Sequence, residues 1–169
     1  MAILTILHGE ISMNSNSEMR LAAVAFISWA RANKVSLRLV PDDIDAVMAV
    51  TTLDLNRSNM TDIPKCIGGL TNLTNIALNW NQIEIIPASI SKLKNLEGLY
   101  LFQNAIKVIP ECFRQLTKLT DLYLGNNQIE TVHAWILQLE SLTELDVGGN
   151  PITSCPDETE TLSIYCPDF

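Results

Sequence analysis

Leucine and isoleucine recur through most of the chain at fixed places in a 23-residue frame. Rows written from Val47 run 47–69, 70–92, 93–115, 116–138 and 139–161, in register and without a gap. Position 7 of the frame holds Leu53, Ile76, Leu99, Leu122 and Leu145, and position 9 holds Leu55, Leu78, Leu101, Leu124 and Val147. Apolar residues two apart on a short strand point to the same side, so each row predicts one strand with an inward pair. Positions 1, 4, 14 and 17 add inward apolar residues such as Leu70, Leu73, Ile83 and Ile86. Burying each fully is worth roughly 1.5–3 kcal/mol before chain entropy is subtracted. One row cannot bury such a face alone, so the rows must stack into a solenoid.

Two further columns explain how a turn closes. Position 12 is polar but sits among core positions: Asn81, Asn104, Asn127 and Asn150, with Ser58 in the atypical first row. A buried amide is tolerated only when hydrogen-bonded, which predicts a ladder of asparagines bonding the backbone of adjacent turns. Position 18 is Pro64, Pro87, Pro110 and Pro156, with His133 breaking the series. Proline there starts the outer segment, where ladder donors are not needed.

The pattern L-x-x-L-x-x-L-x-L-x-x-N-x-[IL]-x-x-[IL]-P resembles the 23-residue class of leucine-rich repeats over residues 47–161, about two-thirds of the chain. The resemblance implies an α/β fold, a curved solenoid with a parallel sheet on its concave face. It also implies ligand binding on that face, no catalysis by the repeats and no cofactor.

Residues 1–46 and 162–169 are then expected as caps. An opening strand at 2–7 and a linker at 12–17 precede a predicted helix over 17–32, apolar on most sides through Leu21, Val24, Phe26, Ile27 and Trp29 and so expected to be buried on the first repeat. Alternation from Val35 to Leu39 predicts a half-buried strand over 35–39. Pro41-Asp42-Asp43-Ile44-Asp45 predicts a helix from 42. Leu162 and Tyr165 restart positions 1 and 4 and are expected to cover the last repeat.

The variable positions beside the inward leucines face the concave surface. They bring Trp80, Tyr100, Phe102 and Tyr123 into one expected aromatic cluster, flanked by Asp54, Asp121, Glu144 and Asp146. Neighbouring strands lie about 5 Å apart. Aromatic anchors with a charged rim have the composition of a binding hot spot. Stacking that merely supports the sheet would account for the two tyrosines but not for Trp80 and Phe102 beside them.

Charge narrows the partner. Acids outnumber bases 19 to 11, for a net −8. This disfavours nucleic acid and anionic membrane surfaces and suits a protein with a basic patch. No apolar run is long enough to span a bilayer, and a monomer is expected. The first ten residues lack a basic region and meet Glu10 early, which reads as no Sec signal peptide. The sequons at Asn56, Asn59 and Asn72 are then accidental.

Four cysteines are too few for a disulfide scaffold at this length, and none forms C-x-x-C. Cys66 and Cys112 stand two repeats apart, roughly 10 Å, beyond disulfide reach. They read as small packing residues, and a Cys155–Cys166 bridge stays open. His8 and His133 lack partners at metal or catalytic spacing, and no phosphate-binding or nucleophile motif is present. No metal site and no enzyme are expected. Two function classes remain: a stand-alone protein-binding module, and a cytoplasmic scaffold or recognition subunit of a larger ligase-type complex.

Small chains of this repeat class with a helical cap and no Sec signal are similar to bacterial effectors injected into host cells. Asp157-Glu158-Thr159-Glu160, followed by Leu162, Ile164 and Tyr165, resembles an acidic tail signal read by such secretion machinery. The expected location is the cytoplasm, or a host cell reached by a non-Sec route.

Overall fold

Each row makes one turn of a coil, with a three-residue strand at frame positions 6–8 and a corner at position 18. The computed structural model describes residues 5–7, 10–12, 15–35, 43–157 and 163–165. The strands are β3 (Thr52–Asp54), β4 (Asn75–Ala77), β5 (Gly98–Tyr100), β6 (Asp121–Tyr123), β7 (Glu144–Asp146) and β8 (Ser163–Tyr165). They form one open parallel sheet in sequence order, pairing residue for residue across each 23-residue step from β3 to β7. The sheet lines the concave face. The opposite wall carries four 3₁₀ turns, Lys65–Gly69, Ala88–Lys92, Glu111–Gln115 and Ala134–Gln138.

The proline column makes the corner. Pro64, Pro87 and Pro110 precede their 3₁₀ turns at φ −63°, −70° and −66°. His133 adopts φ −76° and ψ 142° at the same place, so the repeat imposes the corner even where no ring fixes φ.

The core is one continuous stack between the sheet and the 3₁₀ turns. All ten residues at frame positions 7 and 9 are buried. The asparagine column forms the expected ladder. Asn127 donates from Nδ2 to Leu101 O and Leu124 O, each at 2.9 Å, and accepts from Ile106 N at 3.0 Å. Asn81, Asn104 and Asn150 repeat the arrangement one turn apart. At the first turn, Asn81 Oδ1 accepts from both Ser58 N and Met60 N at 3.0 Å, so the serine row hands its backbone to the ladder of the next.

The N-terminal region holds an antiparallel pair, β1 (Thr5–Leu7) and β2 (Glu10–Ser12), then α1 (Ser15–Ala32) and α2 (Ile44–Ala49). The expected linker over 12–17 is overturned at its described residues, where Ser12 ends β2 and Ser15 begins α1; residues 13 and 14 lie outside the described residues. Helix α1 stops in a left-handed turn at Lys34 (φ 56°), with Val35 N donating to Ala30 O and Lys34 N to Arg31 O, a Schellman closure. Helix α2 begins at Ile44 rather than 42, because the Asp43 side chain accepts from Ala46 N at 2.8 Å and caps it. Of the expected strand over 35–39, residues 36–39 lie outside the described residues.

Helix α1 is less buried than its composition suggests. Ala23, Phe26, Ile27 and Ala30 form its buried stripe, Trp29 is half-buried with its ring stacked on Phe26, and Leu21 and Val24 are 56% and 47% exposed. The helix presents this face to the first 3₁₀ turn and to α2, and Leu21 and Val24 lie off the buried stripe. Contact there is close: a Cβ at Gly69 would stand 2.2 Å from the Ala22 Cβ.

At the far end, Ile164 pairs with Leu145 and Tyr165 with Asp146. Ser163, Ile164 and Tyr165 thus take frame positions 6, 7 and 8, not the positions 1 and 4 expected for Leu162 and Tyr165. The step from Leu145 to Ile164 is 19 residues, short of the frame. Residues 158–162 and 166–169, with most of the acidic tail patch and Cys166, lie outside the described residues.

Candidate functional site

Frame positions 6 and 8 point outward because position 7 between them is buried on every strand. Position 8 lines up Asp54, Ala77, Tyr100, Tyr123, Asp146 and Tyr165, and position 6 lines up Thr52, Asn75, Gly98, Asp121, Glu144 and Ser163.

The rings of Tyr100 and Tyr123 stack with centroids 5.4 Å apart and planes 27° from parallel. Tyr100 lies across its own strand over Gly98, where a Cβ would meet Tyr100 Cε2 and its hydroxyl at 2.8 Å and Asn75 Oδ1 at 2.3 Å. The glycine at position 6 is what lets the ring lie down. The Tyr123 hydroxyl donates to Glu144 Oε2. That bond, followed by burial and the charges of Glu144 and Asp121, pushes Tyr123 up to about 12. Tyr100 is also raised, by burial first and then by the Asp121 and Glu144 charges.

Trp80 and Phe102 form a second pair, edge to face at 5.8 Å. The four aromatic side chains are thus arranged as two pairs, for a backbone reason. The strands end at position 8, and position 11 is a left-handed turn in every row: Arg57, Trp80, Gln103 and Asn126 at φ 54–55°, Gly149 at 70°. Trp80 therefore stands at the margin of the sheet, 41% exposed, with the Arg57 guanidinium 4.5 Å from its ring centroid. Phe102 leans toward Gly125, where a Cβ would stand 3.1 Å from Phe102 Cδ2.

The carboxylates flank the rings unevenly. Asp54 stands on β3, separated from Tyr100 by Ala77, and accepts from Asn56 N at 3.0 Å. Asp121, Glu144 and Asp146 gather on β6 and β7. Asp121 accepts from Thr120 Oγ1 at 2.7 Å, and Asp146 accepts from Gly148 N at 2.9 Å. Among the described residues the ion pairs are Arg20–Asp45 and Arg114–Glu111, so none of these four carboxylates has a cationic partner there. Two residues of this face escaped the sequence reading. Arg57 shares the position of Trp80, which signals adjacency, but nothing in the pattern shows it lying over the ring. Tyr165 was hidden by the 19-residue step.

Elsewhere, Cys66 and Cys112 are half-buried against the core, and burial raises the Cys66 thiol.

A sequence profile described as "Leucine rich repeat" matches residues 48–106, and one described as "Leucine Rich repeats (2 copies)" matches 94–136. The chain is a leucine-rich repeat protein. A leucine-rich repeat protein of Leptospira interrogans is 41% identical over a match covering 54% of this chain and 23% of that one, with a TM-score of 0.52. The leucine-rich repeat ectodomain of a receptor kinase from Arabidopsis thaliana is 28% identical, covers 66% of each chain and gives 0.59. Internalin C2 from Listeria monocytogenes is 27% identical over 73% of this chain and 53% of its own, at 0.62. The chain spans 23–66% of the lengths of these proteins. No curated protein matches it. Leucine-rich repeats generally mediate protein–protein interaction, and bacterial members stand among the structural relatives of this one.

Proposed function

We propose that this leucine-rich repeat protein is a non-enzymatic module that binds a protein partner with a basic patch on its concave face. The observation that carries this reading is the pairing of partly exposed aromatic rings, Trp80 with Phe102 and Tyr100 with Tyr123, with carboxylates that have no cationic partner among the described residues. Aromatic anchors beside uncompensated charge give both contact area and steering. Trp80 adds weight. A left-handed backbone costs a residue with a Cβ roughly 1–2 kcal/mol, and an exposed indole at such a position does nothing to fill the core.

The test is partner capture and titration with wild type and with the Tyr100→Ala, Tyr123→Ala double variant. Affinity should fall on the order of 100-fold while the circular dichroism spectrum is retained. Unchanged affinity in a folded double variant removes this face from consideration.

We also propose that the chain acts in a bacterial setting, as an effector exported by a non-Sec route to a host protein. The Leptospira identity and the acidic residues Asp157, Glu158 and Glu160 support it. A translocation reporter with and without residues 157–169 tests the tail, and equal delivery by both would remove it as a signal.

A further inference from the structure

The short last step of the solenoid builds a feature that the 23-residue frame does not contain. Because Asp146 pairs with Tyr165 on one side and Tyr123 on the other, position 8 reads Tyr, Asp, Tyr across β6, β7 and β8. Strands lie about 4.8 Å apart, so the two tyrosines stand about 10 Å apart at their backbones with the aspartate between them. The space above is a cleft of about 320 Å³ lined by Tyr123, Glu144, Leu145, Asp146 and Tyr165.

Its chemistry is one-sided. Glu144 and Asp146 are two residues apart on β7 and face the same way, about 7 Å apart along the strand. Glu144 uses Oε2 to accept from Tyr123, and Asp146 uses Oδ1 to accept from Gly148 N. Oε1 and Oδ2 receive no hydrogen bond among the described residues. No lysine or arginine occupies the outward positions of β6, β7 or β8 or the turns at 125–126 and 148–149. Tyr165 is 72% exposed, and its ring lies over Gly148, where a Cβ would come within 2.7 Å of Cε1.

We propose that this cleft takes an arginine side chain of the partner, its guanidinium bridging the Glu144 and Asp146 carboxylates between the Tyr123 and Tyr165 rings. A guanidinium is planar, stacks on aromatic faces and carries donors on opposite edges, so it can reach two carboxylates at this spacing. An ammonium is a strongly hydrated point charge and matches neither feature as well. The inference rests on the concave face being a binding surface and adds which part of the partner it holds.

The test uses the whole ¹⁵N-labelled chain and the peptide acetyl-Gly-Leu-Arg-Leu-Gly-amide, with lysine and citrulline counterparts. Amide shifts should concentrate at residues 123–125, 144–148 and 163–165. The lysine peptide should bind about fivefold more weakly, and the citrulline peptide should cause no shifts. Glu144→Gln with Asp146→Asn, which keeps an acceptor for Gly148 N, should weaken the arginine peptide about tenfold or more. Tyr165→Ala, at an exposed site, should weaken it about fivefold and covers the case in which the double variant misfolds. Equal response to citrulline, equal affinity for lysine, shifts spread evenly over other acidic sites such as Glu111 and Glu130, or indifference to these variants would each overturn the proposal. If the Tyr100, Tyr123 double variant loses the partner while the arginine peptide gives no local shifts, the binding face stands and the arginine assignment fails. Local arginine shifts with partner affinity unchanged in that variant, which lacks the Tyr123 wall, would leave an arginine-binding cleft and overturn it as the place where the partner's arginine sits.

Discussion

The Tyr123 hydroxyl on β6 donates to the Glu144 carboxylate on β7. The bond joins two neighbouring turns on the concave face and holds the carboxylate beside the Tyr100–Tyr123 stack. It favours the protonated phenol and is the first cause, ahead of burial and the neighbouring charges, that pushes Tyr123 up from 10 to about 12. Glu144→Gln removes the charge, so the Tyr123 midpoint should move down toward 10, read from its ring resonances in an NMR pH titration. The folded value lies above the unfolded one. The bond's contribution to stability is therefore complete below pH 10 and is lost as pH rises through 12. A midpoint that the variant leaves in place would remove Glu144 as the main cause.

Gly98→Ala should disturb a ring more than the fold. The added Cβ meets Tyr100 at 2.8 Å and Asn75 Oδ1 at 2.3 Å, and both are side chains that can swing away. The expected result is loss of the tyrosine near-UV dichroism from the stack, with stability lowered by about 1–2 kcal/mol. A retained near-UV signal would show that Tyr100 does not lie over Gly98.

Trp80→Gly separates strain from contact. Glycine relieves the left-handed backbone at φ 55°, a gain of roughly 1 kcal/mol. Against this stands the loss of the Phe102 edge contact and the Arg57 cation–π contact, each about 0.5–1.5 kcal/mol. Denaturant unfolding should change by less than about 1–2 kcal/mol, while partner affinity falls sharply. A large stability loss with affinity intact would make Trp80 a structural residue.

Asn127→Ala should be costly. Its amide serves Leu101 O, Leu124 O and Ile106 N inside the stack. Each buried backbone group left unpaired costs about 1–3 kcal/mol, so a loss of about 3 kcal/mol or more is expected. It should read as a lower urea midpoint, and a change below about 1 kcal/mol would mean that water replaces the ladder.

The repeat columns were legible because each is set by one residue type at one place in a turn. Leu99 and Leu101 are buried for the same reason as Leu122 and Leu124, and Asn104 bonds its neighbours as Asn127 does. The outward residues were legible as a set. Their arrangement was not, because side-chain pairing depends on which neighbour leaves room: Tyr100 lies down because Gly98 has no Cβ.

By itself, the sequence determined the period, the inward leucines, the asparagine ladder and the proline corners, including the corner at His133. These follow from local periodicity, which every turn enforces on the next. Tertiary structure alone decided the ends and the face. It left Leu21 and Val24 of α1 outside the core, laid the Arg57 guanidinium over the Trp80 ring, and brought Tyr165 beside Asp146. Each of these depends on what packs alongside, and no frame of 23 residues contains that information.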